Sequence, residues 1–323
     1  CADTFKKMAN KENVKMIEIK LSQGAKPGHG GILPADKNTI EIAEIRSVQA
    51  GTQVNSPAAH SAFSTPIEMM NFIKQLRDLS GGKPVGFKLS VGRKSEFFAV
   101  CRAMVKTGIS PDFITVDGGE GGTGAAPLEY SNSVGMPLRE ALSFVCDALI
   151  GFGLKKEIKI IASAKIFTGF HLVKNIALGA DACNSARGMM VALGCVQSLV
   201  CNTNECPVGV ATQNPVLAEG LVVKNKAQRI ARFHEATVKA TMEIVASAGM
   251  HHSRELNRSH IFRRISQTKI RRYDEIYPYP VEGCLLGDNI PHRFSQEMAE
   301  SSAHSFMPEQ CIAKTTMGLA PVQ

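Results

Sequence analysis

Short apolar runs and amphipathic stretches alternate along the first two thirds of the chain. MIEIKLSQ (16–23) reads as a strand, followed by the long loop GAKPGHGGILPADKN and a short helix over 39–46. TQVNSP (52–57) reads as a short, weak strand. Thr65, Pro66 and Glu68 then spell a helix start, with a capping residue, proline in the first turn and a capping-box acid. Ile67, Met70, Ile73 and Leu76 give that helix one apolar face. PVGFKLS (84–90) is the next strand, and a helix from about Ser95 stops at Gly108. DFITVDG (112–118) is a strand; Pro137 opens a helix with Leu138, Leu142, Val145 and Leu149 on one side. EIKIIASA (157–164) precedes a helix from about Gly169 to Gly179, and ACNSAR (182–187) precedes one beginning near Gly188.

The pattern predicts six βα units, and their strands are mostly continuous apolar runs, as in sheets covered on both faces. Alternating βα units imply a parallel sheet, and a closed barrel of this type needs eight. After Gln213 the rhythm stops. Residues 219–248 read as one long helix ended by Gly249, with a second helical stretch over 253–266. From Tyr273 the chain reads as loop, with no periodic element beyond Cys284. The expected organisation is a barrel portion over 1–213, a helical extension over 214–285 and an irregular tail over 286–323.

Hydrophobic residues make up 44% of the chain, enough for a sizeable core and against wholesale disorder. No apolar run approaches the ~18 residues a spanning helix needs, so a cytoplasmic protein is expected. The chain opens without Met and without an apolar leader, which reads as a fragment or a processed product, and Cys1 lacks the glycine-rich context of an N-terminal nucleophile. The net charge of +8 is spread out, densest between Arg254 and Arg272. With no Trp and no finger or RNA-binding motif, that stretch reads as a solvated basic helical face, and no nucleic acid is expected. Nine cysteines, three of them closely spaced, suggest a reducing compartment and a metal or cluster site.

Five stretches carry candidate chemistry. In CVQSLVCNTNECPVGVATQ (195–213), Cys195, Cys201 and Cys206 are spaced C-x5-C-x4-C with Pro207 after the third. Thiolates ligate iron–sulfur clusters, and three suit a three-iron cluster. Zinc would want a fourth ligand, and three reduced thiols are the plain alternative. DGGEGGTGAAP (117–127) follows a strand, and its glycines would let the backbone approach a flat ring or a phosphate; a flexible surface loop is the alternative. Lys88 interrupts an apolar strand, so it either reaches solvent or points into the barrel mouth, where its charge needs a partner such as a reduced flavin. Lys20, Gln23 and Lys26 leave one strand end together, suited to an anion or a ring edge. The turns ASAKIFTG (162–169) and NSARG (184–188) end the last two strands, where barrels often bind phosphate.

KLSQGAKPGHGG, FKLS, DGGEGGTGAAPL and the cysteine run stand in an order that resembles the synthase domain of glutamate synthases. GFKLSVGRKSEF and RRYDEIYPY resemble the stand-alone FMN-binding members of that family, and the likeness covers roughly residues 14–285. It implies a (β/α)8 barrel, of which this chain would carry strands three to eight, with the first two units upstream. Lys88 would face the flavin from strand five and Gln23 from strand three, with Lys20 as a further catalytic candidate. Ser56 and the loop residues Asp117, Gly118, Gly119, Gly121, Gly122 and Thr123 would contact FMN. Ser163, Ala164 and Lys165, with Ser185, Ala186, Arg187 and Gly188, would hold its phosphate. The cysteine triple would hold a 3Fe–4S cluster beside the ring.

The implied reaction joins ammonia and 2-oxoglutarate and reduces the imine to glutamate with hydride from FMN, electrons arriving through the cluster from a ferredoxin or a reductase subunit. Lys20, Lys26 and Arg93 are the candidates for the substrate carboxylates, and a homo-oligomer is possible. An N-methylglutamate-synthase-like amine transfer and a non-catalytic redox module are the competing readings. Two departures from the family pattern stand out: His29 where an acidic residue is usual, and Ser-Ala-Lys at 163–165 where Asp-Gly-Gly is usual.

Overall fold

The computed structural model describes residues 1–308; Cys311 and the rest of the tail reading to 323 lie outside the described residues. Helix α1 (Ala2–Ala9) leads into β1 (Ile17–Lys20). A long excursion carries β2 (Ile32–Leu33), α2 (Ile40–Arg46) and β3 (Val54–Asn55). Four βα units follow: α3 (Pro66–Leu79) precedes β4 (Val85–Leu89), α4 (Lys94–Thr107) precedes β5 (Phe113–Asp117), α5 (Leu138–Gly151) precedes β6 (Lys159–Ser163), and α6 (Gly169–Ala177) precedes β7 (Ala182–Asn184) and α7 (Ala186–Leu193).

The main sheet is parallel, five-stranded and ordered β1-β4-β5-β6-β7, the α/β architecture expected. The count of six strands is corrected to five. TQVNSP does not enter the sheet: Val54 and Asn55 pair antiparallel with Leu33 and Ile32. Val54 is that segment's only large apolar residue, so it has no face to bury between sheet and helices. β1 instead pairs directly with β4, from Ile17↔Val85 to Lys20↔Lys88. The strand carrying Lys88 is therefore the second of the sheet in this chain.

Each flanking helix forms where the pattern placed it. The Thr65 side chain accepts from Glu68 N while the Glu68 carboxylate accepts from Thr65 N, closing both ends of the capping box. Gly108, at φ 66°, ends α4 in a left-handed conformation that costs glycine little. The core lies between sheet and helices. Met69, Met70, Ile73, Phe87, Phe97, Phe98 and Ile114 are almost wholly buried. Phe98 stacks on Phe144, centroids 5.5 Å apart, each such side chain contributing roughly 1.5–3 kcal/mol of burial.

Beyond the sheet, α8 (Pro215–Ala218) and α9 (Val223–Ser247) follow. α9 packs against α6 and α7; a Cβ on Gly169 would lie 2.7 Å from Thr241 N, so that contact needs glycine. The helix expected over 253–266 is corrected: two single 3₁₀ turns (253–255 and 258–260) lead into a hairpin of β8 (Phe262–Arg264) and β9 (Ile270–Arg272). The basic stretch is thus no helical face. Its Arg258 is wholly buried, bonded to Asp147 at 2.7 Å and lying over the Tyr279 ring. That ion pair pins the C-terminal region onto α5. After α10 (Tyr273–Ile276), the tail is not wholly irregular: α11 (Ser295–Glu300) packs on α4, and Arg102 donates to Met298 O and Ser301 O. Among the described residues no helix is long and apolar enough to cross a membrane.

Candidate functional site

Strand register puts the polar residues of the sheet in rows at its C-terminal end. Asp117 of β5, Ser163 of β6 and Asn184 of β7 are direct neighbours. Two residues earlier, Lys20 of β1 sits beside Lys88 of β4, which sits beside Thr115 of β5. The first row and Lys88 line one cavity of about 350 Å³, together with Gln23, Glu120 and Arg187. The apolar strands build the sheet, and their polar terminal residues build the site.

Charge is concentrated here without being neutralised pairwise. The ammonium of Lys20 is pushed below the usual lysine range, first by burial and then by the positive charges of Lys88 and Lys26. Burial pushes the Asp117 carboxyl up, opposed by the Gly24 N–H, by Lys88 and by a Ser163 hydrogen bond. Asp117 Oδ2 accepts from Gly24 N at 2.9 Å and so fixes the loop after β1. Glu120 accepts from Leu138 N at 3.0 Å at the start of α5, where a carboxylate meets the positive end of the helix.

The glycine loop splits into two roles. Gly121, Gly122 and Thr123 line the cavity. A Cβ on Gly121 would strike Asp117 Oδ1, and one on Gly122, at φ +74°, would strike the Gln23 amide. Gln23 Nε2 donates to Gly122 O at 2.7 Å, tying the two loops together. Gly118 and Gly119 do not line it; they pack against residues 135–138, where a side chain would run into the Leu138 amide or the Gly135 carbonyl.

Of the expected phosphate turns, Ser163, Ala164, Lys165, Ala186 and Arg187 line the cavity. Ala164 and Lys165 have φ of 144° and 44°, conformations that suit glycine. Ser185 and Gly188 are elsewhere: Ser185 Oγ donates to Ile166 O at 2.7 Å, joining the two turns, and Gly188 is buried in α7. Arg187 reaches Thr123 Oγ1 at 3.2 Å across the cavity. Asn184, Glu120 and Met190 also line it and were not singled out from the sequence. Asn184 and Glu120 lie inside the quoted turn and loop, so strand-end position was the available signal.

The proposed carboxylate contacts are not brought together. Lys20 lines a second cavity of about 280 Å³ with His29, Ser56 and His60, sharing Gln23 with the first. Ser56 therefore belongs to this neighbour. Lys26 is buried and spends its ammonium on Gly30 O at 3.2 Å. Arg93 lines a third cavity with Glu96 and Phe306.

Cys195 and Cys201 lie on the wall of the first cavity; Cys206 does not. Cys195 Sγ accepts from Gln197 N at 3.4 Å. The buried Cys206 thiol is held below the usual range: burial acts against this, but the N–H groups of 208–211 outweigh it. Among the described residues no three His, Cys, Asp or Glu side chains converge around a single metal position.

The family model described as the conserved region in glutamate synthase matches residues 8–251. The glutamate synthase large subunit-like protein YerD of Bacillus subtilis is 40% identical over 274 residues, 85% of this chain and 52% of that protein. The archaeal glutamate synthase [NADPH] of Methanocaldococcus jannaschii is 37% identical over 235 residues, 72% of this chain and 45% of its own length. The ferredoxin-dependent glutamate synthase of Antithamnion sp. is 35% identical over 203 residues, 62% of this chain and 13% of that protein. The chain thus spans about half the length of the first two relatives or less of the third. With three quarters of its length inside the matched region, this α/β chain belongs to the glutamate synthase family.

Proposed function

We propose that the chain is the flavin-binding part of a glutamate-synthase-type oxidoreductase that forms glutamate from 2-oxoglutarate and ammonia. The observation that carries this reading is the convergence of Lys88, Gln23, the Gly121–Thr123 loop and both late turns on one cavity at the C-terminal strand ends. Ligands of open α/β sheets and barrels bind at that end.

The residues present fit FMN. Gly121 and Gly122 line the cavity with bare backbone, held so close to Asp117 and Gln23 that no side chain fits there. Ala164, Lys165, Ala186 and Arg187 offer backbone amides and cationic side chains for a phosphate. When bound, FMN would supply the two-electron reduction of an imine. Lys88 would place positive charge at the polar edge of the ring, and Gln23, held by Gly122 O, would fix that edge in position. Lys20, which lines the adjoining cavity, would attract a substrate carboxylate. Lys26 would act by holding the 23–30 loop rather than by touching substrate.

The donor chemistry also supports an iron–sulfur cluster in loop 195–206. The amide shell of Cys206 favours a thiolate, and Cys195 and Cys201 adjoin the flavin cavity. Such a cluster would relay single electrons from a partner protein; a ferredoxin fits, since one relative is named for it. Anaerobic turnover of 2-oxoglutarate and ammonium by reduced protein tests the reading. Glutamate formation matching the reductant consumed is expected. Conversion of glutamate and methylamine to N-methylglutamate with release of ammonia and no net use of reductant would favour amine transfer, and no substrate-dependent turnover of either kind would leave a redox module.

A further inference from the structure

Behind the late turns, between the N-terminal ends of α5 and α6, lies a separate cavity of about 190 Å³. It holds roughly six waters at their liquid share of about 30 Å³ each, the scale of a small organic molecule rather than one ion. Some of its lining charges are already spent. Arg139 is bonded to Glu140 Oε1 at 2.9 Å, and both Glu120 oxygens face the Leu138 amide. Others are not. Lys165 and Lys174 line the cavity and make no hydrogen bond or ion pair with another described residue. Lys174 is half-buried, and burial pushes its pKa down, opposed in part by the Glu120 and Glu140 carboxylates, neither of which it contacts directly. His171 Nδ1 accepts from Phe167 N at 3.2 Å, so the neutral ring carries its proton on Nε2, a free donor.

Two lining residues carry the opposite deficit. Asn175 is 1% exposed and its Oδ1 has no partner. Glu140 Oε1 takes Arg139 and the Tyr277 hydroxyl, while the buried Oε2 takes nothing. Orphaned buried acceptors cost about 1–3 kcal/mol each, so a partner is to be expected. A lone anion would satisfy the lysines and leave both acceptors orphaned; a lone cation would do the reverse. A zwitterion answers both.

We propose that this cavity binds a free α-amino acid, its carboxylate on Lys174, Lys165 and His171 Nε2–H and its ammonium on Asn175 Oδ1 and Glu140 Oε2. Lys165 and Ala164 line both this cavity and the flavin cavity, so an occupant would brace the left-handed turn between them. The site does not depend on the reaction proposed above.

Isothermal titration of the full chain with L-glutamate and L-glutamine, and with acetate and ammonium chloride as single-charge controls, tests the assignment. One amino acid is expected to bind per chain more tightly than either control. Binding is expected to weaken roughly ten-fold or more in Lys174→Gln and in Lys165→Gln. It is expected to be unchanged in Lys74→Gln, an exposed lysine of α3 that lines neither cavity. Thermal melting shows that the variants are folded, and the exposed Lys165 gives a second reading if Lys174→Gln is not. Three results would overturn the proposal: no binding, acetate binding as tightly as the amino acids, or binding intact in both Lys174→Gln and Lys165→Gln.

Discussion

At the scale of single residues, the turn after β6 carries the clearest local conflict. Ala164 and Lys165 occupy backbone conformations with φ of 144° and 44°. Such residues store about 1–3 kcal/mol each, offset partly by the extra unfolded-state entropy of a glycine, about 0.5–1 kcal/mol. Ala164→Gly is therefore expected to stabilise the fold by about 1 kcal/mol in urea unfolding. A loss of stability would mean that the Ala164 methyl, which is almost buried, matters more than the strain. The sequence already marked this turn, because Ser-Ala-Lys stands where glycines were expected; it could not show that the chain keeps the glycine-like backbone regardless. Lys88 was legible for a simple reason, being a charge in an apolar strand. Lys26 was not. Its position in the sequence matches that of a ligand contact, and only the fold shows that its ammonium is spent on Gly30 O.

At the scale of elements, helix ends were legible wherever a local rule sets them. The Thr65–Glu68 box is one case, and it carries a pH signature. Hydrogen bonds from Ser64 and Thr65 to the Glu68 carboxylate hold its pKa below the ordinary value. A depressed carboxyl contributes stability that is present above the unfolded pKa and lost as pH falls through the folded one. Wild type is thus expected to exceed Glu68→Gln in stability near neutral pH, with the gap closing as pH falls past the ordinary carboxylate range. A gap independent of pH would show that the charge plays no part.

Elements fixed by distant contacts were not legible. TQVNSP pairs across a long loop, and 253–266 gives up helix for a hairpin because Arg258 must reach Asp147. That pair has 0% and 8% exposed side chains, and breaking one side of such a pair costs about 3–5 kcal/mol. Arg258→Met should therefore lower the free energy of chemical unfolding by that amount. A change under about 1 kcal/mol would show that the clasp is not what holds the C-terminal region to α5.

For the whole molecule, alternation of strands and helices was enough to give a parallel α/β sheet, since each unit buries its own apolar run. The number of strands was not, because one apolar residue in a weak segment cannot distinguish a sheet strand from a hairpin arm. The five strands place Lys88, Asp117, Ser163 and Asn184 around one cavity. The cysteine loop is legible as thiolate chemistry, whereas the separation of Cys206 from Cys195 and Cys201 is a property of the folded loop.

The central claim is that this cavity binds FMN through Lys88 and the late turns. Titrating FMN into the chain, with flavin fluorescence as the signal, tests it most directly. Saturable binding of one FMN per chain is predicted, weakened about ten-fold or more by Lys88→Met, which removes a charge-assisted contact, with the fold intact by circular dichroism. Binding that ignores Lys88→Met, or no binding by a folded chain, would contradict the account.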